Sequence, residues 1–370
     1  MTDSAVGRVA LTRRQLVRVF AFGAAGALVA ACTPAPPVVP TTAPSAASSS
    51  AGAPAAAAAG PSDALVKAAK DEGTLTWYTA VPPPAITPLV KAFTDQYGVK
   101  VEVNRQTSGT LGTLLKSEIE GGKVIVDVIE MGDVVTMQGA ADKGWLVKPA
   151  PTDVPALQSW PAKWTYTAQG ATYPQAIAVY TITYNSQLAG ADAPKDWQSL
   201  ADPKWKGKLI LGDPRASTQF LDFINSLSKQ YGAEFIKSIA AQQPQYTASL
   251  VTGINSVASG DAVVMAPGAH WINTDLIDKG APLADAYPAP AMSGSEQWIG
   301  LVKGAPHPNA AALFFNFVMS AAGQSATCKD LCSSVINAPG TVPFPSTYAS
   351  PDLPGATARK GELLGLLGIT

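Results

Sequence analysis

The chain has 370 residues, of which 26 are Lys or Arg and 27 are Asp or Glu, so its formal net charge is −1 at pH 7 with both histidines neutral. Nucleic-acid binding requires a basic surface that this balance does not supply, and we expect no nucleic-acid partner. Only 14% of the residues are charged, 47% are hydrophobic, and 32 Gly and 31 Pro interrupt the chain. This composition predicts a large apolar core with many turns, and the length favours two lobes over one.

The first 31 residues have the composition of an export signal. Four arginines precede an uncharged run over residues 19–31, which is too short to cross a bilayer as a helix. The stretch Thr12–Arg18 resembles a twin-arginine export signal, and Val29–Cys32 resembles a bacterial lipobox. We predict a signal peptide over residues 1–31, cleavage before Cys32 and lipid modification of that cysteine.

Residues 32–62 are predicted to form a disordered tether. Residues 33–62 carry no charge and almost no large apolar side chain, so they cannot bury enough surface to offset the entropy of ordering. The tether would hold the folded remainder at the outer face of the bacterial cytoplasmic membrane, in the periplasm or the cell-wall space.

From Asp63 onward, segments with helical period alternate with strand-like segments, which predicts βαβ units. Strands are expected over residues 74–79, 99–103 and 124–129, and right-handed crossovers make them parallel. Their carboxyl ends therefore meet at one sheet edge, where small ligands bind in open α/β sheets. The candidate ligand contacts at this edge are Tyr78, Thr79, Ser108, Gly109, Gly132 and Asp133. Ser and Asp also cap helices, so a capping role stays open for two of these residues.

A second lobe is predicted beyond the charge-free, β-branched segment 175–185, which suits a strand crossing from one lobe to the next. Further strands are expected over residues 209–211 and 262–266. The turn after the first of these combines a helix N-terminus, two hydroxyls and an arginine, and is the best anion site in the sequence. The candidate contacts in this lobe are Asp213, Arg215, Ser217, Thr218, His270 and Trp271. A cap, a surface ion pair or simple packing remains the alternative role for each.

These patterns predict a division into two lobes. Residues 63–178 and 287–328 make up the first lobe, to which a strand over residues 297–302 returns, and residues 179–286 make up the second. The sequence leaves open where the C-terminal segment, residues 329–370, docks.

Four stretches of the chain resemble the extracellular solute-binding proteins of bacterial ABC transporters, in the class that includes ferric-ion, thiamine and aminoethylphosphonate binders. In order they are TWYTA, AFTDQYGVKVEV, VYTITYNSQL and WQSLADPKWKGKLILGDP, and the resemblance runs from about residue 73 to 323. It implies an α/β fold of the type II periplasmic-binding-protein kind, with two mainly parallel sheets flanked by helices. It also implies a small-molecule solute held between the lobes and delivery to an ABC transporter permease. We expect a monomer.

The sequence departs from the ferric binders of this class at their metal ligands. Pro82 stands where they have a histidine, Gly132 where they have a glutamate, and His270–Trp271 where they have a tyrosine pair. Direct iron coordination by those groups is therefore not expected. The anion-contacting turn of the class is matched by Ser217–Gln219, which favours a small anionic or zwitterionic organic solute. Trp271 would stack on a ring of that solute or face its cationic group.

Few parts for catalysis or metal binding are present. The sequence has no GxSxG, Walker A, GxGxxG or HExxH motif, and His270 and His307 are its only histidines. We predict a binding protein without cofactor or metal rather than an enzyme. Two alternatives stay open: a lipid-anchored hydrolase or transferase using carboxylates such as Asp133 and Asp213, and an adhesin with a large partner.

Beyond the predicted lipidation site, the cysteines are Cys328 and Cys332. An exported protein meets an oxidising compartment, so a disulfide is expected. Because positions four apart in a regular helix are poorly aligned for such a bond, the helix should end between them.

Overall fold

The structure is a computed structural model that describes residues 60–150, 152–161, 164 and 170–370. The predicted signal peptide, nearly all of the predicted tether and the predicted lipidation site Cys32 lie outside these residues. Within them, no helix combines the length and the apolar character needed to cross a membrane.

Two β-sheets with flanking helices organise the described residues. Their strands are β1 (Thr74–Thr79), β2 (Lys100–Arg105), β3 (Val128–Met131), β4 (Leu146–Val147), β5 (Thr172–Val179), β6 (Thr181–Asn185), β7 (Leu209–Gly212), β8 (Gln245–Thr247), β9 (Val264–Gly268), β10 (Leu283–Ala286) and β11 (Gly294–Val302).

Helices cover both sheets. They are α1 (Asp63–Glu72), α2 (Pro83–Tyr97), α3 (Ser108–Glu120), α4 (Val134–Asp142), α5 (Ser186–Ala189), α6 (Thr218–Tyr231), α7 (Ala233–Ala240), α8 (Leu250–Ser259), α9 (His270–Asp278), α10 (Pro308–Met319), α11 (Ala321–Cys328), α12 (Leu353–Ala358) and α13 (Lys360–Leu367). Short 3-10 turns lie at Pro155–Ser159, Gly190–Asp192, Trp197–Ala201 and Pro203–Trp205.

Each sheet has three neighbouring parallel strands on one side, one of which is the edge strand. In the six-stranded sheet of the first lobe, β1 is parallel to both β2 and β3, and β11 then pairs antiparallel with β3, β4 and β5. In the five-stranded sheet of the second lobe, β7 is parallel to β8 and β9, while β6 is antiparallel to β9 and β10. The two-lobed α/β fold is confirmed, but the strands that pass between the lobes run antiparallel, so the sheets are mixed rather than mainly parallel.

The predicted third strand is displaced toward the C-terminus by several residues. It was expected over residues 124–129, whereas β3 begins only at Val128. A side chain takes the place of a partner strand here, because the Glu118 carboxylate accepts hydrogen bonds from the amides of Ile125 (2.9 Å) and Val126 (3.2 Å). An apolar, β-branched run therefore stays outside the ladder.

The crossing between the lobes consists of two adjacent passages of the chain. The segment predicted as one strand, 175–185, is divided by Tyr180 into β5 in the first sheet and β6 in the second. The Tyr180 amide donates to the carbonyl of Ser293 (3.3 Å), at the point where the chain returns from β10 to β11. The two passages together connect the two lobes.

Helical period and a glycine cap correctly predicted α2. Its apolar stripe, which includes Phe93, is buried, and Gly98 at φ 71° ends the helix by donating to the carbonyl of Thr94. Phe93 meets Phe314 of α10 edge-on, with ring centroids 5.0 Å apart. This helix therefore anchors the first-lobe core behind the sheet edge.

The C-terminal segment passes from one lobe core to the other. Val335 is buried in the first-lobe core, whereas Ala356 and Leu363 are buried in the core of the second. Cys328 and Cys332 form a disulfide. Helix α11 ends at Cys328 and does not continue to Cys332, so the prediction that the helix stops between the two cysteines is confirmed.

Candidate functional site

A cleft of about 970 Å³ lies where the strand ends of the two lobes face each other. The loops after β1, β2 and β3 form one wall, and those after β7, β8 and β9 form the other. Residues of β11 complete the base. Its size is typical of a small-molecule pocket.

All five segments predicted to meet at the sheet edges contribute to this cleft. Of the twelve candidate contacts, the structure places these seven in its wall: Ser108, Gly109, Gly132, Asp133, Ser217, Thr218 and Trp271. The rule that parallel strands place their carboxyl ends at one sheet edge therefore predicted the position of the cleft correctly.

Tyr78 and Thr79 do not line the cleft, because both are buried and bonded inside the first lobe. The Tyr78 hydroxyl donates to Glu118 (2.6 Å), and burial, together with that carboxylate, raises the pKa of Tyr78 to about 12. The Thr79 hydroxyl accepts from the amide of Val81 (3.1 Å) and contacts the Glu130 carboxylate (3.3 Å). The two side chains point to opposite faces of the sheet, and both faces are buried here.

The predicted anion contacts Asp213 and Arg215 also lie outside the cleft wall. They neutralise each other, since Nε and a terminal amino group of the guanidinium donate to the two Asp213 oxygens, each at 3.0 Å. This bonding holds the pKa of Asp213 below its usual value. The guanidinium lies over the ring of Tyr246, 5.7 Å from its centroid. Arg215 therefore does not present its charge to the cleft, contrary to its predicted position.

His270 is held within the second lobe and does not line the cleft. Its Nδ1 donates to Asp285 (2.9 Å), and this bond raises the pKa of the imidazole above its usual value. The same carboxylate accepts from the Thr183 hydroxyl and the Asn273 amide, both at 2.6 Å. His270 is therefore part of a structural polar network.

Helix N-termini from both lobes meet at the cleft. The first turns of α3, α6 and α8 lie in its wall, and their caps are Thr107, Ser217 and Ser249. Of the two candidate caps in the first lobe, Ser108 is the first residue of α3 rather than its cap, whereas Asp133 caps α4 and accepts from the amides of Val135 and Thr136. First-turn amides lack intrahelical acceptors and carry the positive end of the helix dipole, so this arrangement favours an anion.

Arg105, which was not among the candidates, supplies the positive charge of the cleft. It ends β2, and its Nε donates to the carbonyl of Val81 (2.8 Å), which fixes the side chain at the wall. Of the described residues that line the cleft, it alone carries a permanent positive charge. Its position at the carboxyl end of a parallel strand places it at the cleft edge, but its local sequence does not distinguish it from a solvated side chain.

The base of the cleft is made of amide side chains. Gln219 of α6 donates from Nε2 to the carbonyl of Gly132 (2.7 Å), which links the second lobe to the first. Gln297 and Ser295 of β11 lie beside this link, and Gln297 Nε2 donates to the Ser295 hydroxyl (2.9 Å). A side chain at position 132 would start 2.9 Å from Gln297 Nε2 and 3.1 Å from Gln219 Nε2, so only glycine fits without displacement.

Within the residues that the structure describes, no three His, Cys, Asp or Glu side chains are grouped so that they could hold a metal ion. His307 lies away from the cleft, where its Nδ1 donates to Asp127 (2.9 Å).

A family model identifies the family to which this two-lobed chain belongs. Residues 88–340 match the family model described as bacterial extracellular solute-binding protein. The chain belongs to this family. The family description names extracellular solute binding as the role of its members.

A curated relative of this solute-binding protein is the iron uptake protein A1 of Synechocystis sp.. The two are 24% identical over 258 residues, which cover 64% of this chain and 68% of the relative.

Solved structures share the fold. Iron-bound HitA from Pseudomonas aeruginosa has a TM-score of 0.60 at 20% identity, covering 80% of this chain and 98% of HitA. AfuA from Actinobacillus pleuropneumoniae, with bound fructose-6-phosphate, has a TM-score of 0.63 at 20% identity, covering 81% of this chain and all of AfuA. At such identities the likeness shows the two-lobed architecture alone.

Proposed function

We propose that this solute-binding protein captures a small anionic or zwitterionic organic solute in the cleft between its lobes and delivers it to the permease of an ABC importer. The observation that carries the proposal is the charge of the cleft: Arg105 and the first turns of helices from both lobes face one cavity. Oriented backbone amides and a fixed guanidinium bind oxyanions, since they need no rearrangement to do so.

Both carboxylates in the cleft wall already have hydrogen-bond or ion-pair partners within the protein. Asp133 accepts from two amides and the Thr136 hydroxyl of its own helix. Asp275 pairs with Lys279 at 2.9 Å. Each carboxylate therefore already has a partner in or beside its own helix.

The relatives bind more than one kind of solute, and the residues of this chain favour the organic one. HitA is described with bound iron and AfuA with fructose-6-phosphate, which is an organic anion. Pro82 and Gly132 line the cleft. They stand at the positions where the sequence comparison places a histidine and a glutamate in the ferric binders of this class. Neither side chain can coordinate iron, which supports an organic oxyanion.

A titration panel tests the proposal. Phosphate esters, phosphonates and carboxylates are added to the purified protein, with neutral sugars and monovalent or divalent cations as comparison groups, and the unfolding midpoint is followed. A true ligand raises the midpoint because it binds only the folded state. We expect the rise with members of the oxyanion group. A rise confined to neutral sugars or to cations would contradict the proposal.

Capture also requires that the lobes move. We assign residues 63–178 and 287–328 to one rigid body and residues 179–286 to the other, with segment 329–370 spanning both. The adjacent passages at Tyr180 and Ser293 support a hinge at that place, since few backbone torsions there would change the angle between the lobes.

Gly132→Ala is expected to weaken solute binding by about tenfold while the protein stays folded. The new methyl group would displace Gln297 and Gln219, whose ends are flexible, so the cleft base changes shape without loss of the core. Calorimetric titration with the best oxyanion of the panel measures the change. Gly361→Ala is the control, because its methyl group meets open space. Equal affinities for wild type and Gly132→Ala would show that the base does not touch the solute.

We further propose, from the sequence alone, that the protein is exported by the twin-arginine route and anchored through a lipid on Cys32. Cys32→Ser should move the protein from the detergent phase to the aqueous phase in a phase-partition assay of whole cells. Replacing Cys328 and Cys332 together is the control, and that variant should stay in the detergent phase. Equal partition of wild type and Cys32→Ser would exclude the anchor.

A further inference from the structure

Two polar atoms in the cleft wall are buried and have no hydrogen-bond partner. Gln297 is 4% exposed and Trp271 is 3% exposed, and both line the cleft. Gln297 Nε2 donates to Ser295, but its Oε1 accepts no hydrogen bond, and Trp271 Nε1 donates none. A buried polar atom without a partner is unfavourable, and native structures contain few of them.

Location separates these two atoms from the other unpartnered atoms within the described residues. Most of those belong to residues away from the cleft, such as Trp205 Nε1, while Gln297 Oε1 and Trp271 Nε1 alone belong to residues of the cleft wall; the Trp271 ring also packs against the first-lobe core. One is an acceptor on a strand of the first lobe, and the other is a donor on a helix of the second.

The backbone holds Gln297 in this place. The pairing of β11 with β5 shifts register between Gln297 and Trp298, which is the signature of a β-bulge. Bulges commonly re-aim a side chain beside a functional site. Gly132 leaves the space that the Gln297 amide needs, since a Cβ there would lie 2.9 Å from its Nε2. The acceptor is thus positioned before any solute arrives.

We propose that Gln297 and Trp271 determine solute specificity, an inference that rests on the proposed function. Gln297 Oε1 accepts a hydrogen bond from a hydroxyl or ammonium group of the solute, and Trp271 Nε1 donates to one of its oxygens. The solute is therefore an organic oxyanion that also carries a hydrogen-bond donor. Sites built around such a buried acceptor reject an analogue without the donor, because the acceptor then stays unpaired.

Matched pairs of probes test this inference by calorimetric titration. The pairs are glycerol 3-phosphate with propyl phosphate, and 3-aminopropylphosphonate with propylphosphonate. We expect wild type to bind the donor-bearing member of at least one pair about tenfold or more tightly. Gln297→Met keeps the length of the side chain and removes the amide, so the ratio should fall to near one with unchanged affinity for the plain member. Trp271→Phe should weaken both members of the pair to a similar extent.

Two controls keep the result interpretable. Gln106→Met, at the exposed rim of the same cleft, should preserve the ratio. The unfolding midpoint of ligand-free Gln297→Met should stay close to that of wild type, because the substitution removes an unpaired buried acceptor together with the hydrogen bond from Nε2 to Ser295.

The outcomes separate this inference from the proposed function. If wild type binds plain oxyanions but does not prefer the donor-bearing members, or if Gln297→Met keeps the preference, the specificity role is wrong and the proposed function stands. If no oxyanion of either kind binds, the proposed function fails and this inference fails with it.

Discussion

Arg105→Gln is expected to weaken oxyanion binding by about 10- to 100-fold, the range for losing a hydrogen bond between charged groups. The guanidinium is fixed through Nε to the carbonyl of Val81, and no other bond within the described part of the chain occupies it. It therefore carries a positive charge into the cleft without the neutralising carboxylate that Arg215 has. Calorimetric titration with the best oxyanion of the panel measures the loss, and raising the salt concentration should reduce the difference between wild type and variant.

Arg215→Gln is the matched control for this experiment. The same chemical change is made in the second lobe, at an arginine that is paired with Asp213 at 3.0 Å and lies outside the cleft wall. Its affinity for the oxyanion should stay within about twofold of wild type, since exposed ion pairs contribute little. A large loss in Arg215→Gln with none in Arg105→Gln would mean that the anion binds beside Arg215, outside the cleft.

Glu130→Gln is expected to stabilise the protein above neutral pH and to leave it nearly unchanged at pH 5. Burial raises the pKa of Glu130 from 4.5 to about 8. Between these values the folded state keeps a proton that the unfolded state releases, so the free energy of unfolding falls as the pH rises through that window. Glutamine has no proton to lose. The variant should therefore gain on the order of a few kcal/mol over wild type by pH 8, since each pKa unit corresponds to about 1.4 kcal/mol.

Urea unfolding from pH 5 to pH 9 measures this difference. Glu120→Gln, at an exposed position in α3, is the control and should follow the wild-type curve. Parallel curves for wild type and Glu130→Gln over the whole range would show that the carboxyl is ionised in the folded protein at neutral pH.

The cleft could be located from the sequence because its position follows from topology. Strand and helix periods, with right-handed crossovers, were enough to bring the turns near residues 108, 132, 217 and 271 to one place. The seven candidates found in the cleft wall all lie at helix starts or strand ends. Such positions depend on backbone direction, which the periodicity reveals.

The identity of the charged contact could not be read from the same pattern. Arg215 follows Asp213 by two residues, and the turn lets the two side chains pair, so the charge beside the anion-binding turn is cancelled. Arg105 is exposed at the end of an alternating strand, where its type suggests only a solvated side chain. Its role depends on Val81, which lies 24 residues away in the sequence. Local pattern carries no information about such a pair.

The position of Gln297 in the cleft could not be predicted from the sequence for a related reason. It begins a segment predicted only as a strand, and in a strand buried on both faces alternation does not show which face opens to a cavity. The bulge beside it depends on pairing with β5, more than 100 residues earlier in the chain. Only the assembled sheet reveals the unpaired acceptor.

Native mass spectrometry of the gently purified protein is the most direct test of an oxyanion cleft between the lobes. The wild-type protein should carry a small acidic organic molecule, released by unfolding, and Arg105→Gln should lose it while Arg215→Gln retains it. A neutral or purely cationic molecule, held equally by wild type and Arg105→Gln, would contradict the account.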